Sequence, residues 1–139
     1  MDGVLNKNNR LFLMPDLKNA YFGNCIIWGT SSVEFTTIQD DKHEFYFVLD
    51  KCYIKDKDNT INTQDKTHFK NITRSGDNDP GFKSIEENKY DFRLKKTSGS
   101  KIINAGSIDI ASPYPFDFDQ HSRLNDNAPD LGAFEYIPE

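Results

Sequence analysis

Asn19–Gly29 reads NAYFGNCIIWG and Phe45–Ile54 reads FYFVLDKCYI, and the second stretch repeats the pattern of the first. The offset is one number throughout: Cys52 − Cys25 = 27, and the same shift carries Ile27 to Ile54, Phe22 to Leu49 and Ala20 to Phe47. Apolar self-similarity at a period of about 20–50 residues marks stacked units, each burying its face against its neighbours. The two stretches therefore read as successive rungs. Ala20, Phe22, Cys25 and Ile27 alternate inward on either side of Asn24, which suits a corner because Asn tolerates unusual backbone angles and bonds nearby backbone with its side chain. Its counterpart is Lys51, so any asparagine ladder stops after one step.

His68–Thr73, HFKNIT, gives a third and degenerate rung. Phe69 follows Leu49, Asn71 follows Lys51 and Ile72 follows Cys52, each by 20, which implies a shorter intervening loop. The Asn-Cys-Ile-Ile run, read with these repeats, resembles the coils of right-handed parallel β-helix proteins of the pectate-lyase-like superfamily. That resemblance implies an all-β chain: a short right-handed parallel β-helix of about three rungs with an irregular C-terminal cap.

Between the rungs, Val33–Ile38, VEFTTI, alternates with β-branched residues as a further strand does. His43 falls in a charged turn, and Tyr46 and Tyr53 are expected on the outside. In the polar loop Lys55–Lys66, Asp56, Asp58 and Asn59 suggest a calcium loop, but Ile61 and Thr67 stand where the pattern needs Gly and Glu, so no metal is expected. Upstream, Met1–Asn9 is polar and expected to fray, and Arg10–Met14, RLFLM, reads as a strand of an incomplete rung or a flap, ended by Pro15.

One domain of 139 residues fits the length, with 10–78 as rungs and 79–139 as strand, wrap and cap. The 11 Phe and 6 Tyr supply the apolar surface that a disordered chain lacks. A net charge of −5 argues against nucleic acid, and Arg93, Lys95 and Lys96 read as a solvated strand face. No apolar run reaches the length of a membrane span, and the first residues lack the pattern of a signal peptide. An uncovered upstream rung leaves strand edges unpaired, so the chain is expected to be the C-terminal part of a longer protein and to self-associate through that end. Cys25 and Cys52 on adjacent rungs lie within reach of a disulfide, but the reading favours free thiols.

The tail carries four words in order: Asp79-Pro80-Gly81-Phe82, Tyr90–Leu94, Ser98–Gly106, and Pro129–Tyr136. Together they resemble the closing segment of bacterial β-helix proteins, especially those of Bacteroidetes, although Gly99-Ser100-Lys101 replaces a common Ser-Pro-Ala. Physically, Phe82 is expected to plug the last rung, and Tyr90–Leu94 to add a strand with Phe92 and Leu94 on one face. Ile102 or Ile103 covers the core, Gly106 supplies a backbone conformation closed to other residues, and Ser107–Ala128 wraps. Leu131, Ala133 and Phe134 anchor the end, Gly132 permits close approach, and Phe116 and Phe118 serve the cap.

The functional expectation is a non-catalytic closing portion of a secreted, periplasmic or cell-surface protein, with polysaccharide as the partner that the resemblance implies. Trp28, Tyr46 and Tyr53 are the binding candidates; no catalytic set and no cofactor are assigned. Two alternatives stay open. One is a fragment of a polysaccharide lyase or glycoside hydrolase, with Asp50, Lys51 and Asp56, or Asp117 and Asp119, as its carboxylate and base candidates. The other is a protein-interaction or adhesive module.

Overall fold

The computed structural model describes residues 3–5, 11–13, 15–96 and 100–138. Among these residues ten short strands and one helical turn form the framework: β1 Gly3–Leu5, β2 Leu11–Leu13, β3 Tyr21–Gly23, β4 Ile26–Ile27, β5 Val48–Asp50, β6 Tyr53–Lys55, β7 Phe69–Lys70, β8 Thr73–Ser75, β9 Phe82–Ser84, β10 Asp91–Leu94 and α1 Ile108–Ala111. The chain is all-β in character, with two three-stranded parallel sheets ordered β3-β5-β7 and β4-β6-β8.

Register follows the sequence offsets. Phe22 pairs Leu49 and Ile27 pairs Ile54; Leu49 then pairs Phe69 and Tyr53 pairs Thr73. A strand, a two-residue bend and a second strand thus recur three times. At each bend the first residue is left-handed: Asn24 at φ 52°, Lys51 at φ 54° and Asn71 at φ 52°. Asn reaches this region cheaply, whereas Lys does so at a cost of about 1 kcal/mol. The second bend residue is Cys25, Cys52 or Ile72, and it turns inward.

Period-two alternation on β6 separates two cores. Cys52 and Ile54 face an inner cluster with Phe47, Leu49, Ile61 and Phe69, joined by Ala20, Cys25, Ile27 and Phe35. Tyr53, between them, faces an outer cluster with Phe82, Leu94, Ile102 and Leu131. The C-terminal segment therefore lies along the outer face of β4-β6-β8, and Phe82 packs on that face rather than plugging the last rung. Phe22, in the end strand β3, stays partly exposed and meets Phe35 edge to face.

Several local expectations are corrected. Val33–Ile38 forms no strand. Val33 makes a single bridge to Asp56, Glu34 turns its carboxylate back to the Ser31 N–H at 2.6 Å, and Ile38 is exposed. Leu11–Leu13 pairs antiparallel with Gly3–Leu5, so it is not a rung strand. The rest of the expected fraying over Met1–Asn9 lies outside the described residues, as do Arg10, Met14 and the Ser98-Gly99 part of the third tail word. β10 adds a strand, but antiparallel to β9 and with an irregular register, so Leu94 is buried while Phe92 is exposed. Gly106 does not take a positive φ; that role falls to Asn104 at φ 53°. Gly106 is required for closeness, since a Cβ there meets the Pro129 carbonyl oxygen at 2.8 Å. The wrap holds the short helix α1, and of the three end anchors Leu131 is buried, Phe134 half-buried and Ala133 exposed.

A candidate binding cleft at the first bend

Asn24 is the point where the end of the chain meets the stack. Its Nδ2 donates to the Ser107 carbonyl at 3.0 Å and its Oδ1 accepts the Ser107 N–H at 2.8 Å, an amide-to-backbone pair that mimics a strand bridge. Its own carbonyl accepts the Gly132 N–H at 2.8 Å. Gly132 sits at φ 93°, and a Cβ there meets Ile26 Cδ1 at 2.9 Å. Gly23 opens the other side, where a Cβ meets Ile110 Cγ2 at 2.6 Å, so α1 lies close on β3.

Between these contacts runs a cleft of 1090 Å³. Tyr21, Cys25, Asp50, Asp109, Tyr114 and Arg123 are among the residues that line it. The two tyrosines are well exposed, at 53% and 74%. Burial, then the Asp50 carboxylate beside it, raises the Tyr21 phenol above its ordinary pKa. Asp50 also accepts Asn71 Nδ2 at 3.3 Å. The arrangement offers ring faces for stacking and carboxylate oxygens for hydroxyl donors.

Arg123 is held by a buried acid network. Its Nη1 donates to Glu135 Oε1 at 2.7 Å and its Nη2 to the Gly132 carbonyl at 2.9 Å. Glu135 also accepts the Asp130 N–H, and Asp130 accepts the N–H groups of Asn104 and Tyr136. Burial, then the negative charge of Asp130, pushes the Glu135 carboxyl up to about 7 against the pull of Arg123. Asp117 completes the network, accepting the N–H groups of Glu135 and His121. Burial works against its carboxylate, but these donors and the His121 ring outweigh it and hold the pKa low.

The three binding candidates do not share a surface. Tyr53 is 4% exposed, a correction with a plain cause: the C-terminal segment covers the face on which alternation places it. Its hydroxyl and Trp28 Nε1 both donate to the Asn78 carbonyl, and Trp28 packs edge-on against Phe82 under the Lys55 ammonium. Tyr46 stands apart, half-exposed beside His68.

The carboxylate candidates divide in the same way. Asp50 lines the cleft, whereas Asp56 is buried as an acceptor for Thr60 and Ile61 beside Arg74. Asp119 pairs with Arg93 at 2.6 Å. Lys51 is the bend residue.

Both cysteines are free. The Cys25 thiol is pulled down to about 7, first by the adjoining Cys52 thiol, with Gly23 and Arg123 helping and burial opposing. Cys52 is pushed up by the same pairing and by burial. None of the three histidines lines the cleft: His43 bonds Asp40, His68 donates to the Phe47 carbonyl at 2.7 Å, and His121 sits on Asp117. No histidine therefore stands in the cleft with Cys25, as it does beside the nucleophile of a Cys–His pair. Among the described residues no three His, Cys, Asp or Glu side chains gather as metal ligands, and no helix is long and apolar enough to cross a membrane. Neither a family model, a curated protein nor a solved structure matches this chain.

Proposed function

We propose that the chain is the closing portion of a right-handed parallel β-helix of a secreted or cell-surface protein, in which the C-terminal segment braces the last coils and completes a cleft for a neutral saccharide. The observation that carries the reading is the junction at Asn24, where Ser107 and Gly132 return to the first bend of the stack. Equal offsets with a left-handed residue at every bend support the coil assignment. A right-handed crossover is the overwhelming rule for parallel strands joined within one sheet. Sugar rings present apolar faces that stack on tyrosine and hydroxyls that donate to carboxylates, matching Tyr21, Tyr114, Asp50 and Asp109.

The test is titration with neutral oligosaccharides followed by heteronuclear NMR. Shifts are expected at Tyr21, Ser107 and Tyr114, and Tyr114→Ala weakens binding by about tenfold, or about 1.4 kcal/mol. Shifts confined to other faces, or no binding by any neutral oligosaccharide, refute the saccharide reading. A second reading, a piece of a polysaccharide-cleaving enzyme, is favoured by Asp50 and Asp109 lining one cleft, and release of reducing ends from bound glycan tests it. The outer edges of β3 and β4 carry no strand partner among the described residues, which supports self-association there. A monodisperse monomer at high concentration by light scattering removes that part of the proposal.

A further inference from the structure

The two thiols occupy equivalent bend positions on neighbouring parallel levels. Cys25 and Cys52 directly precede the paired residues Ile26 and Tyr53, and the Tyr53 N–H donates to the Cys25 carbonyl at 2.9 Å. Parallel neighbours lie about 4.8 Å apart at Cα, inside the range of about 4.4–6.8 Å that a disulfide spans. Side chains in register point the same way, so the two thiols stack on one side of the chain, and bonding them draws the two bends slightly together. Access differs between them. Cys25 is partly exposed and lines the cleft, whereas Cys52 is wholly enclosed in the inner core.

We infer that Cys25 is a modification site for small hydroperoxides and that Cys52 is the thiol that resolves the product into an intrachain disulfide. The Cys25 thiolate attacks the outer oxygen of the peroxide. An S–O bond forms, the O–O bond breaks, and the leaving oxygen departs as hydroxide or alkoxide and takes up a proton. The sulfur is oxidised by two electrons to sulfenic acid while the peroxide is reduced. Cys52 then attacks that sulfur; the S–S bond forms, the S–O bond breaks, and hydroxide leaves with the Cys52 proton as water. Two thiols and one hydroperoxide become one disulfide, one alcohol or water, and a further water.

The surroundings favour this order. Cys25 adjoins Cys52 and shares the cleft with Arg123, Asp50, Asp109, Tyr21 and Tyr114. Of the two thiols Cys25 is the one whose pKa is drawn down, first by the Cys52 side chain, which favours the thiolate there. Cys52 is pushed up by its bond with the Cys25 side chain and by burial, and oxidation of Cys25 relieves the first of these. At the third level Ile72 takes the place of a cysteine, which limits the chemistry to one pair.

The experiment is to treat the reduced full chain with one equivalent of hydrogen peroxide and to follow intact mass and tryptic peptides, with dimedone as a trap for sulfenic acid. The expected product is lighter by about 2 Da, joins peptide 19–42 to peptide 52–55, and melts about 5 °C higher. In Cys52→Ser the sulfenic acid persists and is trapped on Cys25; in Cys25→Ser oxidation slows by at least about tenfold. The wild-type peptide map alone decides the matter if either variant fails to fold. A first adduct on Cys52, equal rates in Cys25→Ser and wild type, or disulfides only between chains each overturn the inference.

Discussion

Arg123 offers a sharp test of the buried acid network. Its guanidinium and the Glu135 carboxylate are almost enclosed, with side-chain exposures of 12% and 7%. Arg123→Met keeps much of the apolar stem but leaves Glu135 facing Asp130 and Asp126 without a cation. Removing one partner of a buried pair costs about 3–5 kcal/mol when the survivor is charged. At low pH the cost shrinks, because the Glu135 carboxyl, with a folded pKa of about 7, is then neutral. What remains is loss of the bonds to Gly132 and Asp130, about 1–2 kcal/mol.

The wild type carries the same signature. Unfolded Glu135 titrates at 4.5 and folded Glu135 at about 7. Between these values the folded chain holds a proton that the unfolded chain has released, so stability falls as pH rises through the window. The separation corresponds to a loss on the order of 3 kcal/mol. Asp130, also raised, tilts the curve the same way. Urea unfolding monitored by near-UV circular dichroism at pH 5 and pH 8 reads both effects. Glu135→Gln retains an acceptor for the Asp130 N–H and should flatten the wild-type slope. Equal destabilisation by Arg123→Met at both pH values, or an unchanged slope in Glu135→Gln, refutes the reasoning.

Other outcomes follow from the bends and cores. Lys51→Gly relieves a left-handed Lys and should raise stability by about 0.5–1 kcal/mol, read from the urea midpoint. Ile54→Ala, at a fully buried site of the inner core, should cost about 2–5 kcal/mol in the same assay. Gly132→Ala meets both a positive φ and Ile26, so a loss of more than about 1 kcal/mol is expected, with faster exchange of the position-132 amide that bonds the Asn24 carbonyl. Asn24→Ala removes both bonds to Ser107, and hydrogen exchange at Ser107 should rise before the parallel sheets open.

The repeat was legible because the two strand pairings between successive levels must share one register, which leaves its mark as the offsets of 27 and then 20. The Asn24 bend was legible for a local reason, the tolerance of Asn for positive φ. Tyr53 was misread because alternation tells which face a residue takes, not whether another segment covers that face. Val33–Ile38 has the composition of a strand, but its pairing with the end of β6 stops after the single Val33–Asp56 bridge. The cleft had no sequence signal, since Tyr21 and Tyr114 are 93 positions apart and meet only through the return at Asn24. Asp117 stood out as a carboxylate, yet its burial depends on His121 and Glu135 N–H groups that tertiary structure alone supplies.

The Asn24–Ser107 junction also sets a clock on biosynthesis. The two residues are separated by 83 positions, and a ribosome adding about 10 residues per second needs roughly eight seconds to pass from one to the other. For roughly the last five of those seconds both Ile26 and Tyr53 have been made, but the C-terminal segment that covers them has not. The nascent chain must therefore wait with an apolar face bare, and the rate of its completion, more than the intrinsic speed of strand pairing, governs its exposure to wrong partners.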